Sequence, residues 1–295
     1  MLSSTPPTSS YTLSELLTAY AAEYLPEKSP RTRYQQERLF LWLQRELGAY
    51  RLTDLTPLLL RTWKGNLLTR YKPGTVRRYM ACLHTVLNVA VREYEWLQEN
   101  PLDKVRQPPT SPGRTRFLSE EERRILLVAC RRSRQPALTP VVLMAMSTGM
   151  RKSEIMHLRW PDIDFERRQV RLQHTKNGTA RAVPLSTMML GVLRQWREGR
   201  RHDCEWVFPR PDGRRPIYLD GAWEMAVKRA GLDDFRFHDL RHTAASYLAM
   251  SGADLREIAE ILGHRSLQMT YRYSHLTPTH MGAVAERMIE KFFDM

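Results

Sequence analysis

The sequence predicts a mainly α protein with a small β-sheet or hairpin, made of a helical domain followed by an α+β domain. Three observations predict this class. Apolar residues recur at helical spacing along most of the chain, one short stretch alternates apolar and polar residues, and residues 106–115 are basic and proline-rich without apolar periodicity. We therefore expect a flexible N-terminus at 1–10, a helical domain at 11–105, a linker at 106–115 and a second domain at 116–295.

Local start signals predict four helices in the first domain. Thr12 and Glu15 have the spacing of a capping box, and the pairs Ser29 with Pro30 and Thr56 with Pro57 each combine an N-cap residue with proline at the first helical position. Apolar residues follow each of these signals. A fourth helix, the most regular of the four, is predicted to begin at Thr75.

This fourth helix carries basic side chains outside its apolar face. The apolar residues run from 76 to 94 at helical period. The basic residues form either a solvated charged face or contacts to a nucleic-acid backbone, and both interpretations stay open at this point. The candidates for such contacts are Arg77, Arg78, His84 and Arg92.

The second domain combines helices with one β element. Ser119 with Glu122 predicts a capping box, and residues 141–147 form a candidate buried helix that Gly149 can end in a left-handed turn. Residues 169–185 change to a period of two around Asn177 and Gly178, which predicts a β-hairpin. Helices are expected again from residue 186 onward.

The last helix, at about residues 280–295, has an apolar stripe and two open interpretations. It either completes the core of its own domain or docks on a neighbouring subunit.

Composition restricts the function. Lys and Arg total 46 against 32 Asp and Glu, giving a net charge of +14 and a pI near 10.0, so we expect a polyanionic partner, with nucleic acid ahead of an acidic membrane surface. The longest apolar run, residues 141–146, is far shorter than the roughly 20 residues that span a bilayer. Residues 1–10 lack the apolar core of a signal peptide. We therefore expect a soluble, cytoplasmic protein that does not bind membranes.

The sequence lacks the usual motifs of metal and nucleotide chemistry. Cys82, Cys130 and Cys204 show no metal-binding spacing and no disulfide framework, so reduced thiols are expected. The chain has no Walker phosphate loop, no GxGxxG and no HExxH. We therefore expect neither a cofactor nor a metal.

The residues that can carry chemistry are cationic or hydrogen-bonding groups beside predicted helix ends and at the hairpin turn. Each is ordinary when taken alone, because a surface cation, a turn lysine or a capping histidine would explain it. A zinc site at His238 and His242 is a further alternative, although no third ligand has a familiar spacing. The candidates are Arg151, Lys176, His238, Arg241, His264 and Tyr273.

Together these residues resemble the motifs of the tyrosine recombinase, or phage integrase, family. Residues 148–164 (TGMRKSEIMHLRWPDID) are similar to its first arginine box, 238–264 (beginning HDLRH and ending LGH) to its second, and 270–276 (TYRYSHL) to its nucleophile box. Lys176 falls between the two arginine boxes, as in the family. The amino half, including KPGTVRRYMACLHTVLNVAV and ENPLDKV, is similar more loosely to the family's SAM-like helical core-binding domain.

The resemblance implies an enzyme that cuts and rejoins duplex DNA at a specific site through a 3′-phosphotyrosyl intermediate, without ATP or metal. Tyr273 would be the nucleophile with His238 in its neighbourhood, while Tyr271, the competing phenol, is expected to be a packing residue. Arg151 and Arg241 can each give bidentate charged donation to the phosphate, and His264 is a third donor.

Two further residues have roles suggested by chemistry and spacing. Lys176 is the best candidate for the general acid, because a lysine on a hairpin can reach the scissile site when DNA is bound. Glu154, three residues after Arg151, is expected to orient that arginine.

The resemblance also implies an assembly. Four protomers would form a DNA-bound tetramer by exchanging the helix at about 280–295, and the two domains would form a C-shaped clamp around the duplex. Accessory DNA-bending proteins or a partner recombinase are further expected partners, and the protein would be associated with the nucleoid.

The family members differ in layout and role. About ten residues precede the first helix, which favours a two-domain layout similar to the Xer recombinases over one with an arm-site module. Integrases of phages, plasmids and other mobile elements share that layout, and the sequence does not separate them. The alternatives are a type IB topoisomerase that relaxes DNA as a monomer and a non-catalytic DNA-binding regulator.

Overall fold

The computed structural model describes residues 10–109, 114–173, 180–199, 204–277 and Met288. Internal contacts divide the chain into two compact units, Met1–Gly113 and Arg114–Met295. The described residues are mainly helical, with a small antiparallel sheet in the second unit, which confirms the predicted fold class. No helix in these ranges combines the length and apolar character needed to cross a membrane.

The first unit is built from four α-helices and two short 3-10 helices. The side chains of Thr12, Ser29 and Thr56 each accept a backbone hydrogen bond at a helix start, as their capping signals predict. The α-helices are α1 (Leu13–Tyr24), α2 (Pro30–Leu47), α3 (Pro57–Arg70) and α4 (Pro73–Arg92), and the 3-10 helices are Leu52–Asp54 and Pro101–Lys104.

Helix α4 begins two residues earlier than predicted from Thr75. Lys72 is its N-cap, with an extended backbone, and Pro73 occupies the first helical turn. Proline suits this position because its fixed φ is already helical and its missing N–H would have no partner there. The predicted start was therefore wrong by two residues.

Helix α4 supplies the buried face on which the other three helices of this unit pack. Its buried side chains include Val76, Met80 and Leu83, and the ring of Tyr79 stacks on Trp42 with centroids 3.9 Å apart. A continuous core therefore runs through the first unit.

Part of the predicted linker is bonded to the first unit. Arg77 Nη1 donates to the carbonyl of Pro108 at 2.8 Å, and Lys64 Nζ donates to the carbonyl of Arg106 at 2.9 Å. Within 106–115, residues 110–113 lie outside the described ranges.

The second unit contains seven described α-helices and a three-stranded sheet. The helices are α5 (Glu120–Arg131), α6 (Leu138–Thr148), α7 (Lys152–Met156), α8 (Thr187–Glu198), α9 (Asp220–Arg229), α10 (Asp239–Met250) and α11 (Leu255–Leu262), and 3-10 helices occupy Trp160–Asp162, Leu267–Met269 and Tyr271–Leu276. The strands are β1 (Ile163–Asp164), β2 (Gln169–Leu172) and β3 (Arg181–Pro184).

The sheet is antiparallel in the order β1-β2-β3, and Val170 pairs with Val183. Strands β2 and β3 are the two arms of the predicted hairpin. Its predicted turn at Asn177 and Gly178 lies outside the described residues. The prediction did not include β1, because two residues are too few to show an alternating pattern.

Helix α6 is buried on most of its surface and ends as predicted. Gly149 has φ +63° and φ values of this sign strain any residue with a Cβ. A Cβ at Gly149 would also lie 2.2 Å from Leu262 Cδ2, so α6 and α11 approach closely at this glycine. Helix α10 packs against both, which brings three helix ends together.

Candidate catalytic site

The two arginines of the predicted boxes meet where helices α6 and α11 end. Arg241, only 5% exposed, donates from Nη1 to the carbonyl of Gly149 at 2.7 Å and from Nη2 to that of Leu262 at 2.8 Å. Arg151 Nη2 lies 3.4 Å from the carbonyl of Gly263. The carbonyl ends of helices carry partial negative charge, so they hold both guanidiniums in place.

The positive charge in this site is incompletely neutralised. Burial, followed by the charges of Arg151 and Arg181, lowers the pKa of Arg241 to about 10. Arg241 is still protonated at neutral pH. Concentrated, partly buried positive charge of this kind is complementary to an anion.

Glu154 is shared between two guanidiniums. Its Oε2 accepts the backbone N–H of Arg151 at 2.8 Å, and its Oε1 accepts Arg151 Nη1 at 2.9 Å, which is the contact expected from their spacing. Arg181 donates to the same carboxylate from Nη1 at 3.1 Å and from Nη2 at 2.7 Å. Burial raises the pKa of Glu154, but the hydrogen bonds from Arg181 and Arg151 outweigh it, and the net shift is downward.

Arg181 was missed by the sequence analysis. It begins strand β3 and lies against Gly263, where a Cβ would be 2.7 Å from Arg181 Cδ. The alternation of β3 could have identified it, because Arg181 shares a strand face with the buried Val183. A charged residue on an inward face usually has a buried partner.

The two predicted histidines differ in environment. His264 Nδ1 lies 2.7 Å from Oγ1 of the buried Thr270. Burial, followed by the charges of Arg241 and Arg151, lowers the pKa of His264 to about 4. His238 is solvent-exposed at the start of α10, and partial desolvation and then the charge of Arg241 lower its pKa. Both rings are therefore neutral at pH 7 in this state.

Tyr273 lies in the same part of the unit, with its ring 2% exposed against a small cluster that includes Leu262. Its hydroxyl oxygen lies within hydrogen-bonding distance of His242 Nδ1, at 2.5 Å. Burial raises the pKa of the phenol, and the charges of Arg272 and Arg241 partly offset that rise. The phenol is thus protonated at neutral pH.

Tyr271 has the opposite environment. Its side chain is 68% exposed, so the packing role expected for it was wrong. The short 3-10 helix Tyr271–Leu276 turns residue 273 inward and residue 271 outward.

The structure thus brings together Arg151, Arg241, His264 and Tyr273, and Glu154 is hydrogen-bonded to Arg151. Lys176 falls outside the described residues. His242, considered in the sequence only as a zinc ligand, is the direct partner of the Tyr273 hydroxyl. Across the part of the chain that the structure describes, no group of three His, Cys, Asp or Glu side chains could hold a metal ion.

The four candidate DNA contacts on α4 divide into two pairs. Arg78 and Arg92 are exposed, whereas Arg77 is bonded to Pro108 and His84 Nε2 lies 2.8 Å from Asp103 Oδ1. A depression of about 470 Å³ on this face is lined by Arg77, Arg78, Ala81, His84, Thr85 and Gln107.

Comparison with known proteins agrees with this geometry. The model of the phage integrase family matches residues 116–280, more than half of the chain, and the chain belongs to this family. The integrase of Salmonella phage P22 is 36% identical over 235 residues, covering 75% of this chain and 58% of that protein. The shufflon-specific DNA recombinase of Escherichia coli is 36% identical over 228 residues, covering 77% of this chain and 55% of that protein.

The chain therefore spans less than two thirds of the length of either relative. Among solved structures, Tn1549 transposon integrase in complex with circular intermediate DNA has a TM-score of 0.76 at 20% identity. The match covers 94% of this chain and 99% of that one. It shows a shared fold over both units.

Proposed function

We propose that this protein is a site-specific tyrosine recombinase, which cleaves and rejoins duplex DNA through a 3′-phosphotyrosyl intermediate. One observation carries the proposal. The guanidiniums of Arg151 and Arg241 are held at adjoining helix ends, and Tyr273 lies in the helix that packs against Arg241's own helix. The names of the two relatives, an integrase and a DNA recombinase, support the same activity.

The cationic groups suit the reaction at phosphorus. A phosphodiester under attack gains negative charge on its non-bridging oxygens, and fixed donors lower the barrier most when they are already in place. Arg151 and Arg241 supply planar charged donors, and the partners described above fix their orientation. His264, held by Thr270, is the third donor.

The tyrosine suits a reversible reaction. A phosphotyrosyl ester retains the energy of the phosphodiester, so a 5′-hydroxyl can reverse the step without ATP. Lys176 is the proposed general acid for the departing 5′-oxygen, His238 is proposed to act next to the phosphate, and Glu154 orients Arg151. No metal or other cofactor enters this scheme.

Double-stranded DNA with a specific recombination site is the proposed partner. The net charge of +14 and the basic face of α4 favour binding to a polyanion, and such binding should weaken steeply with salt. The solved Tn1549 relative is bound to DNA. Residues Arg77, Arg78, His84 and Arg92 are proposed contacts, and action on chromosomal DNA would associate the protein with the nucleoid.

Covalent trapping tests the proposed activity. The protein is incubated with a library of nicked duplexes that carry a randomised central segment, and protein–DNA adducts that survive denaturant are sequenced. We expect adducts with one enriched sequence, retained in Tyr271→Phe and abolished in Tyr273→Phe. Adducts that persist in Tyr273→Phe and disappear in Tyr271→Phe would show that Tyr271 is the nucleophile and that the assignment to Tyr273 is wrong. An absence of adducts with wild-type protein would contradict the enzyme itself.

Strand exchange between two duplexes requires four cleavage centres, so a homotetramer is part of the proposal, with the helix at about 280–295 exchanged between protomers. Deleting residues 280–295 is expected to preserve binding to a single site and to weaken pairing of two sites, measured by gel mobility. A deletion protein that pairs sites normally would contradict the exchange, and relaxation of supercoils by a monomer would favour the topoisomerase alternative.

A further inference from the structure

The hydroxyl of Tyr273 has a close titratable neighbour, and it is a residue to which the family resemblance gave no catalytic role. His242 follows Arg241 in α10, and its Nδ1 lies 2.5 Å from Tyr273 Oη. The two ring centroids are 6.1 Å apart. His238, the histidine expected near the nucleophile, is one helical turn earlier, with its ring centroid 5.2 Å from that of His242.

This geometry indicates different roles for His238 and His242. His238 is exposed and able to meet a phosphate that arrives from solvent. His242 is half-buried, and its Nδ1 lies within hydrogen-bonding distance of the phenolic oxygen, where the Nε2–H tautomer would accept the phenolic proton. For a proton transfer to be effective, the base must lie within hydrogen-bonding reach of the proton that it removes, and His242 satisfies this condition.

We propose that His242 is the general base of DNA cleavage, and that its Nδ1 takes the phenolic proton while Tyr273 Oη attacks the phosphorus. The inference rests on the proposed function. One bond forms between Oη and phosphorus, and the bond from phosphorus to the 5′-oxygen breaks. The proton of Tyr273 moves to His242, which becomes an imidazolium, and the 5′-oxygen receives a proton from the general acid, proposed to be Lys176. Rejoining reverses every transfer.

The electrostatic surroundings explain why the transfer would depend on DNA. Burial, followed by the charge of His238, lowers the pKa of His242 to about 4 in the absence of DNA. A neutral ring of this kind accepts a hydrogen bond but holds an extra proton poorly. The charged and titratable groups around it are His238, Asp239, Arg241, His264, Arg272 and Tyr273.

A bound phosphate reverses part of this effect. Its negative charge offsets the cations that disfavour the imidazolium, so the pKa of His242 rises toward the ordinary value of about 6.5. The carboxylate of Asp239 also favours the imidazolium, but it is buried and held by Arg114 Nη2 at 2.8 Å. His242 therefore becomes an effective base when the substrate is in place.

The test compares variants of His242 in single-turnover cleavage of the enriched nicked duplex. His242→Asn retains an oxygen acceptor near the position of Nδ1 but removes the basic nitrogen, whereas His242→Ala removes both. We expect each to cleave about 100-fold more slowly than wild type at pH 7, within the usual contribution of general base catalysis. His157→Asn, an exposed histidine at the end of α7, is the control expected to cleave normally.

The pH dependence separates a base from a merely structural residue. Without a base, cleavage requires phenolate formed in solution equilibrium, so the rate of both His242 variants should rise about tenfold per pH unit between about 6 and 9. Wild type should be nearly flat above about pH 7. His238→Asn is expected to slow cleavage while it keeps the wild-type profile.

Two outcomes would overturn the inference. The first is cleavage by His242→Asn at the wild-type rate with the wild-type pH profile, whether or not His242→Ala is slow, and the second is a steep pH profile in His238→Asn in place of the His242 variants. Each leaves the proposed function intact, because wild-type protein still forms the Tyr273 adduct. Failure of wild-type protein to form any adduct would instead contradict the proposed function.

Discussion

Replacing Glu154 by glutamine tests whether the shared carboxylate holds Arg151 and Arg181 in the candidate site. The side chain of Glu154 is 7% exposed, and those of its partners Arg151 and Arg181 are 18% and 11% exposed. Glu154→Gln preserves shape but removes the charge and places an N–H donor against guanidinium donors. Removing one member of a buried ion pair costs about 3–5 kcal/mol.

Because Arg151 and Arg181 keep some exposure to solvent, we expect a cost at the lower end of this range. We expect Glu154→Gln to lower the free energy of unfolding by about 3 kcal/mol at pH 7. A domain of 150–250 residues loses about 2–4 °C in melting temperature per kcal/mol, which gives a decrease of roughly 6–12 °C. The matched control is Glu121→Gln, since Glu121 pairs with Arg124 at the exposed surface and should leave the melting temperature unchanged.

The effect should also depend on pH. Because the folded pKa of Glu154 is lowered, its contribution is complete above the unfolded pKa of about 4.3 and is lost as pH falls through the folded value. The difference between wild type and Glu154→Gln should therefore be constant above about pH 5 and shrink below it. Thermal unfolding followed by circular dichroism measures both. Equal melting temperatures at pH 7, or a difference that persists unchanged in acid, would refute this reasoning.

Two further predictions concern backbone geometry and the phosphate donors. Gly149→Ala should destabilise by roughly 2–4 kcal/mol because of its positive φ and the close Leu262, whereas Gly191→Ala, with open space around it in α8, should stabilise by about 0.5–1 kcal/mol. Urea unfolding measures both, and a stable Gly149→Ala protein would contradict the close approach. Arg151→Lys should slow single-turnover cleavage at least about tenfold while DNA binding is retained, because the charge stays but the paired donors are lost. An unchanged cleavage rate would show that Arg151 is not part of the catalytic site.

The burial of Tyr273, the proposed nucleophile, adds one requirement for activity. The Tyr273 ring is 2% exposed, so its hydroxyl must leave the buried cluster, or the surroundings must open, before it meets a phosphodiester. Arg241 nevertheless lies near this tyrosine, because its charge offsets part of the rise that burial causes in the pKa of Tyr273. The contact between Tyr273 and His242 is observed without DNA, and the proposed proton transfer requires this contact to persist or to form again in the complex with DNA.

The sequence by itself determined the elements whose causes are local. The caps at Thr12 and Ser119 join residues three apart, and the left-handed helix end at Gly149 follows from the absence of a Cβ. The order of the arginine, histidine and tyrosine motifs was likewise enough to predict the family. The start of α4 was misplaced because Thr75 and Pro73 are both acceptable locally, and proline's fixed φ decided between them.

Only the tertiary structure decided which groups touch across the chain. Arg181 and Glu154 are 27 residues apart and Tyr273 and His242 are 31 apart, so neither contact has a periodic signature in the sequence. Each depends on how β3 and the 3-10 helix Tyr271–Leu276 pack on their neighbours. Packing is a collective property of many side chains, and for that reason the partner of the proposed nucleophile became visible only in the fold.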